Sequence, residues 1–318
     1  MLPMNNDPTF EDVLAAAERI RGRIHRTPVM SSTAINHITG ARLHFKCENL
    51  QKVGAFKARG ATNAVQSLDE ESAQRGVATH SSGNHAAALA FAAASRGIRA
   101  HVVMPSSAPP VKKAAVAGYG AEITECEPTL AARETTLEAV VARTGATFIH
   151  AYDNPMVIAG QGTAALELIT DVPDLDMIMA PVGGGGLMSG TAIAVAASRP
   201  DIELWGAEPS GADDAFRSLR DGRIHPSIKP TTIADGLLTS LSDRTFRILS
   251  ERLEGILTVS EANILRAMRL LWERMKIVVE PSGAVPLAAV LEHPDTFARR
   301  RVGLIISGGN VDLDHLPW

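Results

Sequence analysis

Cysteine is nearly missing from this sequence. The two present, Cys47 and Cys126, are too few for a disulfide framework and lack the paired spacing of a zinc site, so a reducing compartment, the cytoplasm, is expected. There is no excess of positive charge either. The 31 basic residues stand against 35 acidic ones for a net charge of −4, which excludes a basic field for nonspecific nucleic-acid binding. Long apolar runs are lacking as well: the stretch 86–94 is broken by Ser95 and Arg96, well short of the roughly 20 residues that cross a bilayer, and no membrane partner is expected. The first ten residues carry prolines and acids in place of a basic segment followed by an apolar one, so secretion is not indicated. No internal repeat, low-complexity tract or proline-rich linker divides the chain.

What is present is material for a core. Apolar residues make up 45% and charged residues 21% of 318 positions, the balance of a globular chain of about two domains. Thr9 stands as an N-cap before Phe10, Val13, Leu14, Ala17 and Ile20 at helical spacing, which predicts an amphipathic opening helix. From Gly76 the pattern alternates. Extended segments at 76–79, 100–104, 121–124 and 147–150 are separated by helical ones at 84–95, 111–117 and 130–143, the first two stopped at Gly97 and Gly118; this is the arithmetic of βαβ units. Beyond residue 150 it resumes with strands at 177–182, 202–207 and 302–307, a helix from Leu187, and one long helix after Ser260. The stripe of that last helix is Ile264, Leu265, Met268, Leu271, Trp272 and Met275. Two intertwined α/β layers, both with parallel sheets, are the architecture these periods predict.

Three places carry residues suited to chemistry. Gly183, Gly184, Gly185 and Gly186 follow an apolar strand and precede a helix, where bare backbone N–H groups and the helix dipole suit a phosphate; the same run also fits a tight turn. Spaced glycines followed by an acid, or a Lys-Ser or Lys-Thr pair, are missing here, which excludes a dinucleotide fingerprint and a P-loop. Ser81, Ser82, Gly83, Asn84 and His85 form a second strand-to-helix corner, readable as an N-cap cluster with a structural histidine or as a carboxylate-binding loop. Lys57, between Phe56 and Ala58, is a solvated surface charge unless burial lowers its pKa and makes the amine nucleophilic.

The motifs Phe56-Lys57-Ala58-Arg59-Gly60, Thr79-His80-Ser81-Ser82-Gly83-Asn84-His85, the tetraglycine and Ser307-Gly308-Gly309-Asn310 resemble, in that order, the serine/threonine dehydratase and serine racemase family. These are fold-type II pyridoxal-phosphate enzymes, and the racemase-like branch includes 3-hydroxyaspartate dehydratases. The match runs from Thr27-Pro28 to Leu313, nearly the whole chain. It implies two open parallel-sheet domains of the tryptophan synthase β-like architecture: 1–74 with 151–318 as a large cofactor-binding domain, and 75–150 as a small domain carrying the substrate loop. It implies that Lys57 binds pyridoxal 5'-phosphate as a Schiff base and then serves as the base at Cα. Phe56 would pack near the ring, Asn84 would bond the pyridine hydroxyl, Gly183, Gly184, Gly185, Gly186 and Leu187 would cradle the phosphate, and Ser307 would face the ring nitrogen. A hydroxyl there does not hold a proton on the pyridine, which favours rapid β-elimination.

Ser81, Ser82, Gly83, Asn84 and His85 would bind the substrate carboxylate, with Ser82 also on the face of the cofactor opposite Lys57. Glu208, Ala212 and Asp214 resemble the divalent-cation site of the racemase-like branch, an all-oxygen set suited to Mg²⁺, Ca²⁺ or Mn²⁺; without the resemblance, this segment reads as a solvated acidic turn. Arg133 resembles an arginine near the active site of that branch. With His80 it is a candidate partner for the second carboxylate of 3-hydroxyaspartate, against the reading of a solvated helix residue paired with a neighbouring acid.

The implied activity is dehydration of a β-hydroxy amino acid, serine or threonine in the first place and 3-hydroxyaspartate as the lesser alternative, to a 2-oxo acid and ammonia by a homodimer. The alternatives are a serine or aspartate racemase, a β-replacement enzyme, and a noncatalytic ligand-binding protein that keeps the fold. The last has no need of Lys57 and Ser307. Three departures stand out: Ala55 replaces a frequent serine, Ala86-Ala87 replaces a Gly-Gln pair whose glutamine helps bind activating ATP in animal racemases, and little chain follows Ser307. Control by isoleucine through a C-terminal regulatory domain is therefore not expected.

Overall fold

The computed structural model describes residues 7–318; residues 1–6, part of the segment read as lacking a secretion signal, lie outside the described residues. From the N-terminus, α1 (Phe10–Ile20), β1 (Val29–Met30), α2 (Thr33–Thr39), β2 (Arg42–Cys47), α3 (Lys57–Gln66) and α4 (Glu70–Arg75) lead into an alternating segment. That segment is β3 (Val77–His80), α5 (Asn84–Arg96), β4 (Ala100–Pro105), α6 (Pro110–Gly118), β5 (Glu122–Cys126), α7 (Leu130–Thr144) and β6 (Thr147–Phe148). Next come α8 (Pro155–Asp171), β7 (Met177–Pro181), α9 (Gly186–Ser198), β8 (Glu203–Pro209), α10 (Asp214–Asp221) and α11 (Asp243–Arg252). The chain closes with β9 (Gly255–Val259), α12 (Glu261–Leu270), α13 (Pro281–Glu292), α14 (Pro294–Phe297) and β10 (Arg301–Ile306).

Local chemistry sets many of these boundaries. Thr9 and Asp12 form a reciprocal capping box at the start of α1, each bonding the other's backbone N–H, the arrangement that satisfies two orphan donors at once. α5 ends at Gly97, whose left-handed φ of 72° suits a residue without Cβ. One prediction fails after Ser260. α12 ends at Leu270 and the next five residues, Leu271–Met275, wind as a π turn, which rotates the stripe away from α spacing. Ile264, Ala267, Met268 and Leu271 are buried, whereas Leu265 and Trp272 are only half-buried.

The strands form a four-stranded sheet in the order β5-β4-β3-β6 and a six-stranded sheet in the order β1-β2-β10-β7-β8-β9. Every pairing is parallel except that of β1, an edge strand of two residues antiparallel to β2. β4, β7 and β10 are mostly apolar, interrupted only by His101 in β4 and Arg301 at the start of β10, and buried along nearly their whole length, as suits parallel strands covered by helices on both faces. β10, the last strand in the chain, inserts between β2 and β7. The loops that follow β3, β7 and β10 line one cavity. All three lie at carboxyl ends of parallel strands, where open α/β sheets leave a crevice.

Candidate active site

Lys57 opens α3, and Arg59 anchors that first turn. The Arg59 guanidinium is fully buried; it donates from Nε to Glu48 at 2.7 Å, from Nη1 to Glu167 at 2.8 Å and to Thr163 at 3.1 Å. Lys46 Nζ donates to the same Glu167 at 2.5 Å, so two cations face two anions and the buried charge is balanced, as such clusters require. Gly60 lets α8 pack directly on this turn: a Cβ there would stand 2.6 Å from the Val157 carbonyl oxygen. The anchored turn carries the Lys57 amine to the wall of a cavity of about 670 Å³. There Nζ donates to the Ala151 carbonyl at 2.7 Å and lies 5.0 Å from the centre of the Phe56 ring. The side chain is half-buried because it opens on the cavity, yet protein surrounds the amine, and desolvation pulls its pKa down to about 8. The reading of Lys57 as a solvated surface charge is thereby corrected.

The glycine loop lies in the same wall. Gly185 adopts φ 84° just before α9, which has no side-chain cap, so the first N–H groups of that helix are free for an anion. Its glycines fill no space by accident: a Cβ on Gly184 would stand 2.3 Å from the Tyr152 ring and one on Gly186 2.9 Å from Tyr152 Cβ. Across the cavity, α5 begins after Gly83, again with no side-chain cap. The nearest hydroxyl contact is Gly83 N–H to Ser81 Oγ at 3.3 Å. The N-cap-cluster reading of this corner is therefore corrected, and the opening N–H groups of α5 are also uncommitted. The His85 ring turns inward instead, with Nε2 3.1 Å from the Ile149 carbonyl and a pKa pushed down to about 3 by burial. Ser307 follows β10; its carbonyl accepts the Phe56 N–H at 3.0 Å and ties the lysine turn to the sheet.

One cavity thus gathers Phe56, Lys57, Ser81, Ser82, Gly83, Asn84, His85, Gly183, Gly184, Gly185, Gly186, Leu187 and Ser307. A family model described as "Pyridoxal-phosphate dependent enzyme" matches residues 20–308. The chain belongs to this pyridoxal-phosphate-dependent enzyme family. It is 53% identical over 311 residues to a beta-hydroxyaspartate dehydratase of Paracoccus denitrificans (strain Pd 1222), covering 98% of this chain and 99% of that one. The crystal structure of serine racemase from Dictyostelium discoideum superposes with a TM-score of 0.93 at 51% identity, over 96% of this chain and 99% of that chain. The crystal structure of a T.th. threonine deaminase does so with a TM-score of 0.92 at 47% identity, over 96% and 99%. The fold-type II architecture, the enzymatic character and the pyridoxal-phosphate dependence expected from the motifs hold. The cavity itself fits the cofactor, since it pairs a desolvated amine with a glycine cradle at a helix start.

Beside this cofactor region stands a wall of aromatic side chains that only partly figured in the motifs. His80 stacks on Phe148 at 6.0 Å between ring centres, and His150 meets Phe148 at 5.7 Å and Tyr152 at 4.5 Å. His150 Nδ1 accepts the backbone N–H of Asp153 at 2.9 Å, so its proton resides on Nε2, and burial holds its pKa down at about 4. Arg133, on α7, lines the cavity with His80. Its Nε and His80 Nδ1 are both buried without a hydrogen-bond partner among the described residues; Arg133 is half-buried and makes no ion pair among them, so the reading that pairs it with a neighbouring acid is corrected. Desolvation, followed by the field of Arg133, lowers the pKa of His80.

Glu208, Ala212 and Asp214 lie outside the cavity wall, where β8 passes into α10. Both carboxylates are buried, which corrects the solvated-turn reading. Glu208 accepts the N–H groups of Ala215 at 3.1 Å and Phe216 at 2.8 Å, whereas Asp214 makes no well-formed hydrogen bond among the described residues, with the Ser227 hydroxyl and its own backbone N–H close enough only to temper its pKa. Burial raises Asp214 to about 6 and Glu208 well above the carboxylate range. Buried carboxylates short of hydrogen-bond partners suit a hard divalent cation. Among the described residues no three His, Cys, Asp or Glu side chains converge, so such an ion would draw its remaining ligands from the Ala212 carbonyl and water.

The motifs also missed Glu280. It lines the cavity beside Asn84 and Asn310, is buried, and its pKa is pushed up to about 7 by desolvation, with Asp235 adding to the shift. A single glutamate before Pro281 gives no signal beyond an ordinary helix start.

Proposed function

We propose that this enzyme dehydrates β-hydroxy amino acids to 2-oxo acids and ammonia, and that 3-hydroxyaspartate is the preferred substrate over serine and threonine. The observation that carries the reading is the half-buried Arg133, whose Nε has no hydrogen-bond partner among the described residues, beside the unpartnered Nδ1 of His80. A half-buried cation without an anion suits a ligand that brings one, and the second carboxylate of 3-hydroxyaspartate does so. The 53% identity to a beta-hydroxyaspartate dehydratase supports the same substrate.

Bound pyridoxal phosphate supplies the electron sink that acidifies the Cα–H of an amino acid attached to it. The residues of this chain do the rest. The glycine loop 183–186 and the start of α9 would hold the phosphate, Asn84 and Ser307 would serve the ring hydroxyl and ring nitrogen, and the start of α5 with Ser81 and Ser82 would receive the α-carboxylate. Lys57 would hold the cofactor through its aldehyde and serve as the base at Cα; a pKa of about 8 leaves about a tenth of the amine neutral at pH 7, against about one part in 3,000 at the unperturbed lysine value. Arg133 and His80 hold the distal carboxylate. Ser82 lines the same cavity as Lys57, which supports a second reading, racemisation with Ser82 as the opposing acid–base group.

The test is release of 2-oxo acid from the stereoisomers of 3-hydroxyaspartate, serine and threonine, with chiral analysis of residual substrate. The expected outcome is a kcat/KM for one 3-hydroxyaspartate isomer at least about tenfold above that for serine, the scale of one charge-assisted contact. A kcat/KM for serine equal to or above it rejects the dicarboxylate reading. Rapid inversion of configuration with little oxo acid would favour the racemase.

Glu208, Asp214 and the Ala212 carbonyl would hold Mg²⁺, Ca²⁺ or Mn²⁺, and the ion would act by fixing the turn between β8 and α10. Adding the cation to chelated, cofactor-free protein should raise the melting temperature by about 5 °C at a hundred times its Kd, and Asp214→Asn should abolish the response. No shift with any of the three ions rejects the site. A homodimer in the cytoplasm completes the reading, in keeping with two free cysteines.

A further inference from the structure

We propose that Glu280 and Asn310 are positioning residues that lock the side-chain amide of Asn84, so that the cofactor ring meets its N–H edge and never its oxygen. Asn84 Oδ1 accepts from Asn310 Nδ2 at 2.9 Å, and Asn84 Nδ2 donates to Glu280 Oε1 at 2.9 Å and Oε2 at 3.3 Å. Chemistry fixes each of these orientations. Asn310 Nδ2 also donates to the Val53 carbonyl at 2.7 Å, and a carbonyl can only accept, so the Asn310 amide has one orientation. Above its pKa of about 7 Glu280 is ionised and only accepts, so it takes the nitrogen of Asn84. The Asn310 backbone N–H holds Glu280 in turn, donating to Oε2 at 3.1 Å. Once these contacts are made, the Asn84 amide keeps one N–H uncommitted, and a ring oxygen opposite it finds a donor.

The surroundings are built around this carboxylate. Gly308 leaves it room, since a Cβ there would stand 2.5 Å from Glu280 Oε1. Burial of a carboxylate served only by neutral donors is unfavourable and pushes its pKa up; a glutamine would fill the same space without that cost. What a glutamine cannot do is refuse to donate. Its NH₂ group could face Asn84 Oδ1, and the Asn84 amide could then turn its oxygen toward the ring. Val53, held at φ 55°, ties the same network to the loop that precedes Lys57.

The inference rests on Asn84 facing the ring, which belongs to the reading above, but not on the identity of the substrate. The experiment therefore uses no substrate. Cofactor affinity and the ratio of visible to near-ultraviolet absorbance of the bound cofactor, which follows ionisation of its ring hydroxyl, are measured for wild type, Glu280→Gln, Asn310→Ala and Asn84→Ala, and for the first two changes combined with Asn84→Ala. Glu280→Gln should weaken binding about tenfold, the scale of one hydrogen bond to a charged group, and shift absorbance to the near-ultraviolet. Asn310→Ala should act in the same direction, about threefold. In the Asn84→Ala background neither change should add more than about twofold. A tenfold loss that persists without Asn84 overturns the proposal and leaves Glu280 as a prop for the loop 308–310. Wild-type affinity and spectrum in Asn84→Ala overturn the placement of Asn84 and this proposal together. Should Glu280→Gln fail to fold, as judged by cofactor-free melting, the Asn310→Ala cycle decides alone: equal losses in both backgrounds reject the lock.

Discussion

Replacing Lys57 by alanine should lower turnover at least about 10⁴-fold while the protein still folds. Two effects are removed together: covalent capture of the cofactor aldehyde, and a general base whose own worth reaches about 10⁴. Folding should survive because Lys57 has a single hydrogen bond, to the Ala151 carbonyl, and burying its amine is unfavourable, as the depressed pKa records. The anchor of the turn is Arg59 with Glu48 and Glu167, which the substitution leaves intact. Lys57→Arg separates the two explanations for any loss. It keeps a cation at this place but supplies no neutral amine, since the guanidinium stays protonated; it should be as inactive as alanine. The pH profile of capture carries the sign of the shift. A lowered pKa makes the neutral amine available earlier as pH rises, so the capture rate of added cofactor should climb up to about pH 8 and level off above it. Normal turnover by Lys57→Ala, measured as 2-oxo acid release, would end the mechanism, and a capture rate still climbing through pH 10 would show the amine to be solvated.

Much of this site is legible in the sequence because of where it lies. Loops at the carboxyl ends of parallel strands must turn sharply and present backbone donors, so glycine, serine and asparagine gather directly after apolar runs, as at 81–84, 183–186 and 307–310. The αβ alternation from β3 to β6 is legible for the same reason, with each strand bounded by a helix of clear period. What escaped was set by contacts between distant residues. Glu280 becomes part of the site only because β10 inserts between β2 and β7, carrying Asn310 to within hydrogen-bond reach of both Asn84 and Glu280. α8 and α13 are buried over most of their surface. A helix buried all round has no apolar stripe to betray it, and α13 also carries Pro286 within it. The π turn at 271–275 keeps apolar residues at helical intervals while changing the face they occupy. For Glu208 and Asp214, spacing alone reads as a surface turn, and the burial of both carboxylates, which supports the proposed cation site, has no signal in the sequence.

Arg133→Ala should depress kcat/KM for 3-hydroxyaspartate about a hundredfold and that for serine less than about threefold. The argument begins with what the residue does not touch. Its Nε has no hydrogen-bond partner, so removing the side chain breaks no internal contact there, and the melting temperature of the free protein should hold. The loss then falls on the ligand. A planar guanidinium meets a carboxylate with two charge-assisted hydrogen bonds, and losing such a partner costs about 3 kcal/mol, or roughly two orders of magnitude in rate. Serine carries no distal carboxylate and has nothing there to lose. Arg133→Lys should fall between wild type and alanine on 3-hydroxyaspartate, because an ammonium keeps the charge but not the fork. His80 gives an independent arm. Its pKa is held down by burial and by the field of Arg133, so in wild type it meets the substrate neutral and as a hydrogen-bond partner. His80→Ala should accordingly cost less than Arg133→Ala on the dicarboxylate, about tenfold. Parallel losses on serine and 3-hydroxyaspartate in Arg133→Ala would instead mean that the arginine shapes α7 or the cofactor region, and the dicarboxylate reading would lose the residue that carries it.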